Sequence, residues 1–284
     1  MMRCLFVSDL HGNLDRYTKL FRAVEEHRPD AVFMGGDLLP TGHLLSDGKG
    51  GQYDDFVRGY LAGELRRLHR LLGPKYPRIF LIMGNDDPRS EEPAFMERGL
   101  WEYMHCRKAV VGEFTVYGYA HVPPTPFLFK DWERYDISRH IDPGCVSPEE
   151  GMRSVPVPES EAKYATIKED LEHLAGAGDL GRAVFLFHTP PYKTGLDRAA
   201  LDGKMIDHVP LDVHVGSIAV QRFIEVRQPL LTLHGHIHES STLTGTWREK
   251  IGDTWCFSAA YEKPGLALVR FDLEHPGDAE RRIL

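Results

Sequence analysis

Apolar residues in this chain fall into short unbroken runs separated by polar or glycine-rich punctuation: Cys4 to Val7, Ala31 to Met34, Ile79 to Met83, Val184 to Phe187 and Leu230 to Leu233. Runs of this length without polar alternation predict strands buried on both faces. Between them, residues 13 to 28 place Leu14, Tyr17, Leu20, Phe21 and Val24 on one helical stripe, and residues 53 to 72 do the same from Phe56 to Leu72. Strand, helix, strand, helix, strand is the pattern of an α/β sheet built from crossover units. Residues 109 to 119 predict a hairpin turning near Gly112 and Glu113, and helices follow at 159 to 175 and 216 to 227. Strands are expected at about 242 to 247, 254 to 258 and 265 to 272. His121 to Pro158 carries seven of the nineteen prolines and little periodicity, which predicts a long ordered loop or lid within one domain spanning residues 1 to 284.

Bulk properties narrow the field. The chain of 284 residues is 42% hydrophobic and 27% charged, with a formal net charge of -8. That balance excludes a general footprint for nucleic-acid backbones, which needs clustered Lys and Arg. The opening MMRCLFVSDLHG is too short an apolar stretch for a secretory signal or membrane span, so a cytoplasmic protein is expected. Cys4, Cys106, Cys145 and Cys256 form no CxxC pair and predict neither a zinc ribbon nor a disulfide framework. Oligomeric state is not legible.

The candidate chemistry follows the strands. Ser8-Asp9-Leu10-His11, Gly35-Gly36-Asp37, Gly84-Asn85-Asp86-Asp87, His188 and Gly235-His236-Ile237-His238 each come directly after one of the five apolar runs. Loops beyond the carboxyl ends of strands in open α/β sheets converge on one crevice. Carboxylate and amide oxygens combined with imidazole nitrogens suit a pair of divalent metals. Within PLLTLHGHIHES an extended chain would point His234, His236 and His238 to one face, but Gly235 interrupts the run. His236 and His238 then belong to the loop, and His234 stays in the strand, where it either supports a ligand from behind or packs.

In this order the motifs resemble those of the calcineurin-like metallophosphoesterase superfamily: D-x-H, G-G-D, G-N-H-[DE], a later His and G-H-x-H. Thr125-Pro126-Phe127, His188-Thr189-Pro190-Pro191-Tyr192 and His214-Val215-Gly216-Ser217 are similar to a branch of predicted phosphoesterases related to cyclic-nucleotide phosphodiesterase. The resemblance implies a four-layer α-β-β-α sandwich with two facing mixed β-sheets. It also implies one metal on Asp9, His11 and His238, a second on Asn85, His188 and His236, and Asp37 bridging both. Mixed N and O donors suit Mn, Fe, Zn, Co or Ni, with manganese among the expected ions. With two charged ligands the cluster keeps positive charge, so a small-molecule phosphodiester monoanion would be attracted and hydrolysed by in-line attack of a metal-bridging hydroxide. A phosphomonoesterase or nucleotidase on the same scaffold is the alternative, and a non-catalytic metal-binding scaffold protein is a third reading.

The chain departs from the motif at Asp86, where the family's histidine stabilises the phosphoryl group or protonates the leaving oxygen. An ionised Asp86 would repel phosphate unless its pKa is raised. Activity is therefore expected on activated aryl phosphodiesters, with weaker turnover of dianionic alkyl monoesters. Arg89, His121 and Lys193 are candidate sources of positive charge or a proton, His43 is a candidate for the pocket rim, and His214 could either contact substrate or cap the helix at Gly216-Ser217. Cys256-Phe257-Ser258-Ala259-Ala260 replaces the Asn-Pro-Gly turn of related chains.

Overall fold

All five apolar runs are strands in a computed structural model that describes residues 1–40, 55–97 and 99–284. In chain order the strands are β1 (Arg3–Val7), β2 (Ala31–Gly35), β3 (Arg78–Ile82), β4 (Glu102–Tyr103), β5 (Arg107–Val111), β6 (Phe114–Tyr119) and β7 (Ala183–Phe187). There follow β8 (Met205–Ile206), β9 (Val209–Pro210), β10 (Leu231–His234), β11 (Arg248–Ile251), β12 (Thr254–Ser258), β13 (Ala267–Asp272) and β14 (His275–Ile283). The helices are α1 (Leu14–His27), α2 (Ala62–Leu72), α3 (Glu92–Phe95), α4 (Glu159–Tyr164), α5 (Ile167–Ala175), α6 (Ile218–Arg227) and α7 (Ser240–Thr244).

Two mixed six-stranded sheets result, ordered β14-β13-β1-β2-β3-β4 and β11-β12-β10-β7-β6-β5. In the first, β1, β2, β3 and β4 are parallel neighbours and β13 joins β1 antiparallel. In the second, β6, β7, β10 and β12 are parallel, with β5 and β11 as antiparallel edges. The sheets face each other: Phe257 of β12 meets Phe271 of β13 at 5.8 Å between ring centroids. Strand alternation divides the second sheet's side chains. Val184, Leu186, Leu231 and Leu233 join the main core with the first sheet, α1 and α2, while Phe185 and Phe187 pack outward against α5 and α6. The order helix, sheet, sheet, helix is the expected four-layer arrangement.

Capping chemistry sets the helix starts. Asn13 accepts from the Asp15 and Arg16 amides, Thr166 from Glu169 and Ser217 from Val220. The predicted helix 159 to 175 is therefore two helices, because Ala165 is extended and Thr166 opens α5. In the second amphipathic stretch a π-helical turn, Phe56–Leu61, precedes α2, while residues 53 and 54 and His43 lie outside the described residues. The strand expected at 242 to 247 is instead α7 and the turn after it. Leu243 there is exposed, and the Ser240 and Thr244 hydroxyls both donate to the Gly195 carbonyl.

The proline-rich stretch 121–158 contains only isolated bridges, yet it is fastened at many points. Lys130 and Glu133 form a fully buried ion pair, and Trp132 donates its indole N–H to the Asp87 carbonyl at 2.8 Å. Asp136 accepts from the Ser217 hydroxyl and the Ile218 amide, tying the stretch to the start of α6.

Candidate metal centre

Four hydrogen bonds lace the strand-end loops together in pairs. Asp9 N donates to Gly36 O, His11 N to Asp37 O and Gly12 N to Leu38 O, which joins the loops after β1 and β2. Gly235 N donates to His188 O at 2.8 Å and joins those after β10 and β7. The chain makes abrupt turns to do this. Asp9, His11, Asp37 and His236 all have left-handed backbones, with φ of 57°, 47°, 52° and 74°. Such conformations in non-glycine residues are costly and gather at functional sites.

Two glycines mark how closely the loops approach. A Cβ on Gly84 would lie 2.3 Å from Asp37 Oδ1 and 2.7 Å from His188 Nε2, and one on Gly235 would lie 1.9 Å from Ser8 Oγ and 2.7 Å from Asp9 Oδ2. Only residues without a side chain fit there.

The loops bring the candidate ligands together. Donor atoms of Asp9, His11, Asp37 and His238 all lie within 4.8 Å of one another. His238 Nε2 is 3.1 Å from Asp9 Oδ1 and 3.2 Å from His11 Nε2. On the other side of Asp37, His188 Nε2 is 3.3 Å from Asp37 Oδ2 and 3.1 Å from Asn85 Oδ1. His236 stands against His188, with 5.2 Å between ring centroids.

Hydrogen bonding prepares several of these atoms. His188 Nδ1 lies 2.7 Å from the Gly35 carbonyl, which can only accept, so the Nδ1 proton points there and Nε2 is directed at the two oxygens. Asn85 donates its amide N–H to Asp86 at 2.9 Å, which turns Oδ1 toward His188. Asp37 Oδ1 accepts from the Asp86 amide at 2.8 Å, leaving Oδ2 for the histidines.

These features fit a cation. Asp9 Oδ2 and His11 Nδ1 are buried without a hydrogen-bond partner, and at His188 three potential acceptors converge with no donor among them unless the imidazole is charged. Donor atoms this close span the distance across one ion with bonds of about 2.0–2.2 Å. The same field shifts the ionisable groups. Burial opposes charge at His188 and His238, but Asp37 beside the first and Asp9 beside the second raise their pKa values to about 10 and about 9. Burial likewise opposes ionisation of Asp9 and Asp37, and the histidines outweigh it and hold both carboxyls below their usual range. His236 is pushed down to about 3 by burial and by His188, which keeps its ring neutral. Asp86, raised to about 6 by burial and by Asp37, faces His11 Nδ1 at 3.7 Å.

Other candidates separate cleanly. His234 is fully buried, with Nδ1 2.8 Å from Thr189 O and Nε2 2.7 Å from Thr232 Oγ1, so neither nitrogen is free. Asp87 accepts from the Leu38, Leu39 and Gly84 amides and so holds the Asp37 loop to the Asn85 loop. Arg89 pairs with Glu92, His121 is buried beside Trp132, and the Lys193 ammonium lies over the Tyr192 ring. The cap of α6 is Ser217, which leaves His214 without that role. Asp197 and Asp136 carry no recognisable motif and were legible only as single acids.

A cavity of about 940 Å³ opens from this centre. Asp37, Asn85, Asp86, His236 and His238 form its floor, and the proline-rich stretch and residues 192 to 216 form its walls.

A family model for calcineurin-like phosphoesterase matches residues 2–240. Among solved structures, TT1561 of Thermus thermophilus is 16% identical, covering 99% of this chain and 98% of that one, with a TM-score of 0.54. A dimetal phosphatase from Danio rerio is 13% identical over 95% of this chain and 91% of its own, with a TM-score of 0.51. At these identities the likeness is one of fold. No curated protein matches the chain.

Proposed function

The chain belongs to the calcineurin-like phosphoesterase family and is a hydrolase of phosphoric esters, and from that premise we propose a phosphodiesterase that acts on monoanionic diesters. In this reading Asp9, His11 and His238 hold one divalent ion, Asn85, His188 and His236 hold a second, and Asp37 serves both. When bound, such a pair supplies positive charge for the phosphoryl oxygens and lowers the pKa of water. The chain's own contribution is to fix the donors: Gly35 O sets the His188 tautomer, Asp86 sets the Asn85 amide, and Asp87 holds the two loops in register.

The preference for a diester rests on the charge of the cavity. Among the described residues that line it there is no lysine or arginine, whereas Asp86, Asp136, Asp142, Asp212 and Glu239 all do. A monoester dianion would meet these carboxylates with twice the charge of a diester and with no lysine or arginine among the described lining residues to offset it. Cavity walls such as Pro124, Phe127, Ile206 and Val209 suit an apolar substituent on the second ester oxygen.

Steady-state rates on bis(p-nitrophenyl) phosphate and on an alkyl monoester, measured with added Mn²⁺ and again after chelation, test the proposal. Faster metal-dependent turnover of the diester is expected. A strong preference for the monoester would favour a phosphatase or nucleotidase instead.

A further inference from the structure

If the phosphodiesterase reading holds, the reaction needs a proton for the departing alkoxide, and the motif position that supplies one in relatives is Asp86 here. We infer that His214, oriented by the buried carboxylate of Asp197, delivers that proton.

His214 lines the same cavity as Asp37, Asn85, Asp86, His236 and His238. Its wall is built directly on the ligand loops. Ser217 N donates to Pro190 O at 2.9 Å and Tyr192 N to Ser217 O at 3.1 Å, which fixes the stretch after His214 to the stretch after His188. His214 bridges to Arg198 in an antiparallel pair, and the Arg198 amide donates to Ser240 Oγ at 3.3 Å, two residues beyond His238. The segment that carries His214 is thus fastened between the stretches that follow His188 and His238.

Its orientation is set from behind. Asp197 is fully buried and accepts from the Thr194 amide and His214 Nδ1 on one oxygen, at 3.0 and 2.7 Å. The other oxygen accepts from the Lys193 and Gly216 amides, at 3.0 and 3.1 Å. Four donors on two oxygens hold the carboxylate rigidly, and that carboxylate fixes the Nδ1–H tautomer and the orientation of the ring, with Nε2 turned away from it. Nε2 has no protein partner among the described residues, and about a quarter of the side chain is open to solvent (27%). His140 also lines the cavity, but its side chain is 77% exposed and its nearest carboxylate, Asp142, is 74% exposed, so nothing holds it in one orientation.

The step balances without a further reagent. Oxygen from water forms a bond to phosphorus, releasing one of the water protons to solvent, as the bond from phosphorus to the leaving oxygen breaks with its electron pair. The Nε2 proton moves to that oxygen, an alcohol and a phosphomonoester leave, and the neutral ring takes a proton back from solvent.

The test is a series of aryl methyl phosphates with leaving phenols of rising pKa, extended to a dialkyl phosphate, assayed with added Mn²⁺. The variant is His214→Asn, whose side-chain N–H can replace Nδ1–H toward Asp197 while the acid is lost. Expected is a loss below about threefold for p-nitrophenol, growing to about 10²-fold or more for the poorest leaving groups. Imidazole added to His214→Ala should restore rate only for the poor leaving groups, which a merely structural role would not produce. A flat loss across the series, or no loss, overturns the assignment to His214 and leaves the phosphodiesterase reading standing. A wild type without metal-dependent activity on any diester overturns both.

Discussion

Replacing Asp87 by Asn tests whether one buried carboxylate keeps the two halves of the metal centre in register. Asp87 is fully buried. Its Oδ1 accepts from Leu39 N at 2.7 Å and Leu38 N at 2.9 Å, and its Oδ2 accepts from Gly84 N at 2.9 Å. Leu38 follows Asp37, and Gly84 precedes Asn85, so the carboxylate spans the loops that carry Asp37 and Asn85. An asparagine that keeps its oxygen toward the leucines must turn an N–H₂ group toward the Gly84 N–H. One hydrogen bond to a charged group, worth about 1.5–3 kcal/mol, is lost, and a buried donor left unsatisfied costs about 1–3 kcal/mol. Relief of the desolvated charge offsets part of this, so a net loss of about 2–4 kcal/mol is expected in urea denaturation. Because the loops also aim the ligands, Mn²⁺ affinity should fall about 10–100-fold, as when other partners of metal ligands are removed. Calorimetric titration of metal into wild type and Asp87→Asn reads this directly. Stability within about 0.5 kcal/mol of wild type, with unchanged metal affinity, would refute the argument that Asp87 is the clamp.

Three further outcomes follow from the same geometry. Gly84→Ala drives a methyl group to 2.3 Å from Asp37 Oδ1 and 2.5 Å from Asp37 N, so kcat/KM should drop by about 10²-fold through misplacement alone; wild-type activity with full metal content would contradict the contact. Metal analysis of single variants should find one ion lost from His236→Ala and one from His238→Ala. His234→Ala should retain both at a stability cost of about 2–4 kcal/mol, and loss of metal from that variant would make His234 a ligand. Burial, followed by Arg134, holds the pKa of His121 well below the ordinary histidine value, and the same two causes lower that of His105 to about 3. With the folded values depressed, the unfolded chain binds more protons, so their contribution is complete above the unfolded pKa of about 6.5 and is lost as pH falls toward the folded values. Unfolding free energy should therefore decline more steeply below pH 6.5 in wild type than in His121→Leu, by up to about 1.4 kcal/mol per pH unit; parallel curves would show that His121 titrates alike in both states.

The strands that hold the site were legible because each is buried on both faces and reads as an unbroken apolar run. Among the edge strands β5 was legible as half of the hairpin expected at 109 to 119, whereas β4, β11 and β14 were not. β14, with the sequence HPGDAERRI, is held by its register with β13 rather than by any pattern of its own, and β4 is two residues long. The stretch 242 to 247 misled for the opposite reason. Its alternation of Leu and Thr looks like a half-buried strand, but Leu243 faces solvent and two hydroxyls are drawn to Gly195, a partner about fifty residues away. Helix 159 to 175 divides at Thr166, whose side-chain cap competes with continuation of the helix, a contest that apolar spacing does not record.

The same distinction runs through the site. The seven candidate ligands each stand in a loop just beyond a buried strand, a local signal that survives without knowledge of the fold. The groups that orient them act across the sequence. His188 is oriented by the carbonyl of Gly35, and His214 by Asp197, seventeen residues before it. Such pairings are set by which loops the two sheets bring side by side. Motif reading therefore identifies atoms suited to hold metal and raises the question of the leaving-group proton at Asp86, while a candidate source for that proton emerges only when the wall of the cavity is seen. Asp86 shows why the two cannot be separated: it replaces an acid in the motif, yet in the structure it aims Asn85 at His188 and faces His11. A carboxylate committed to that geometry is poorly placed to protonate a leaving group as well, and the cavity offers a histidine with its own buried carboxylate for that task.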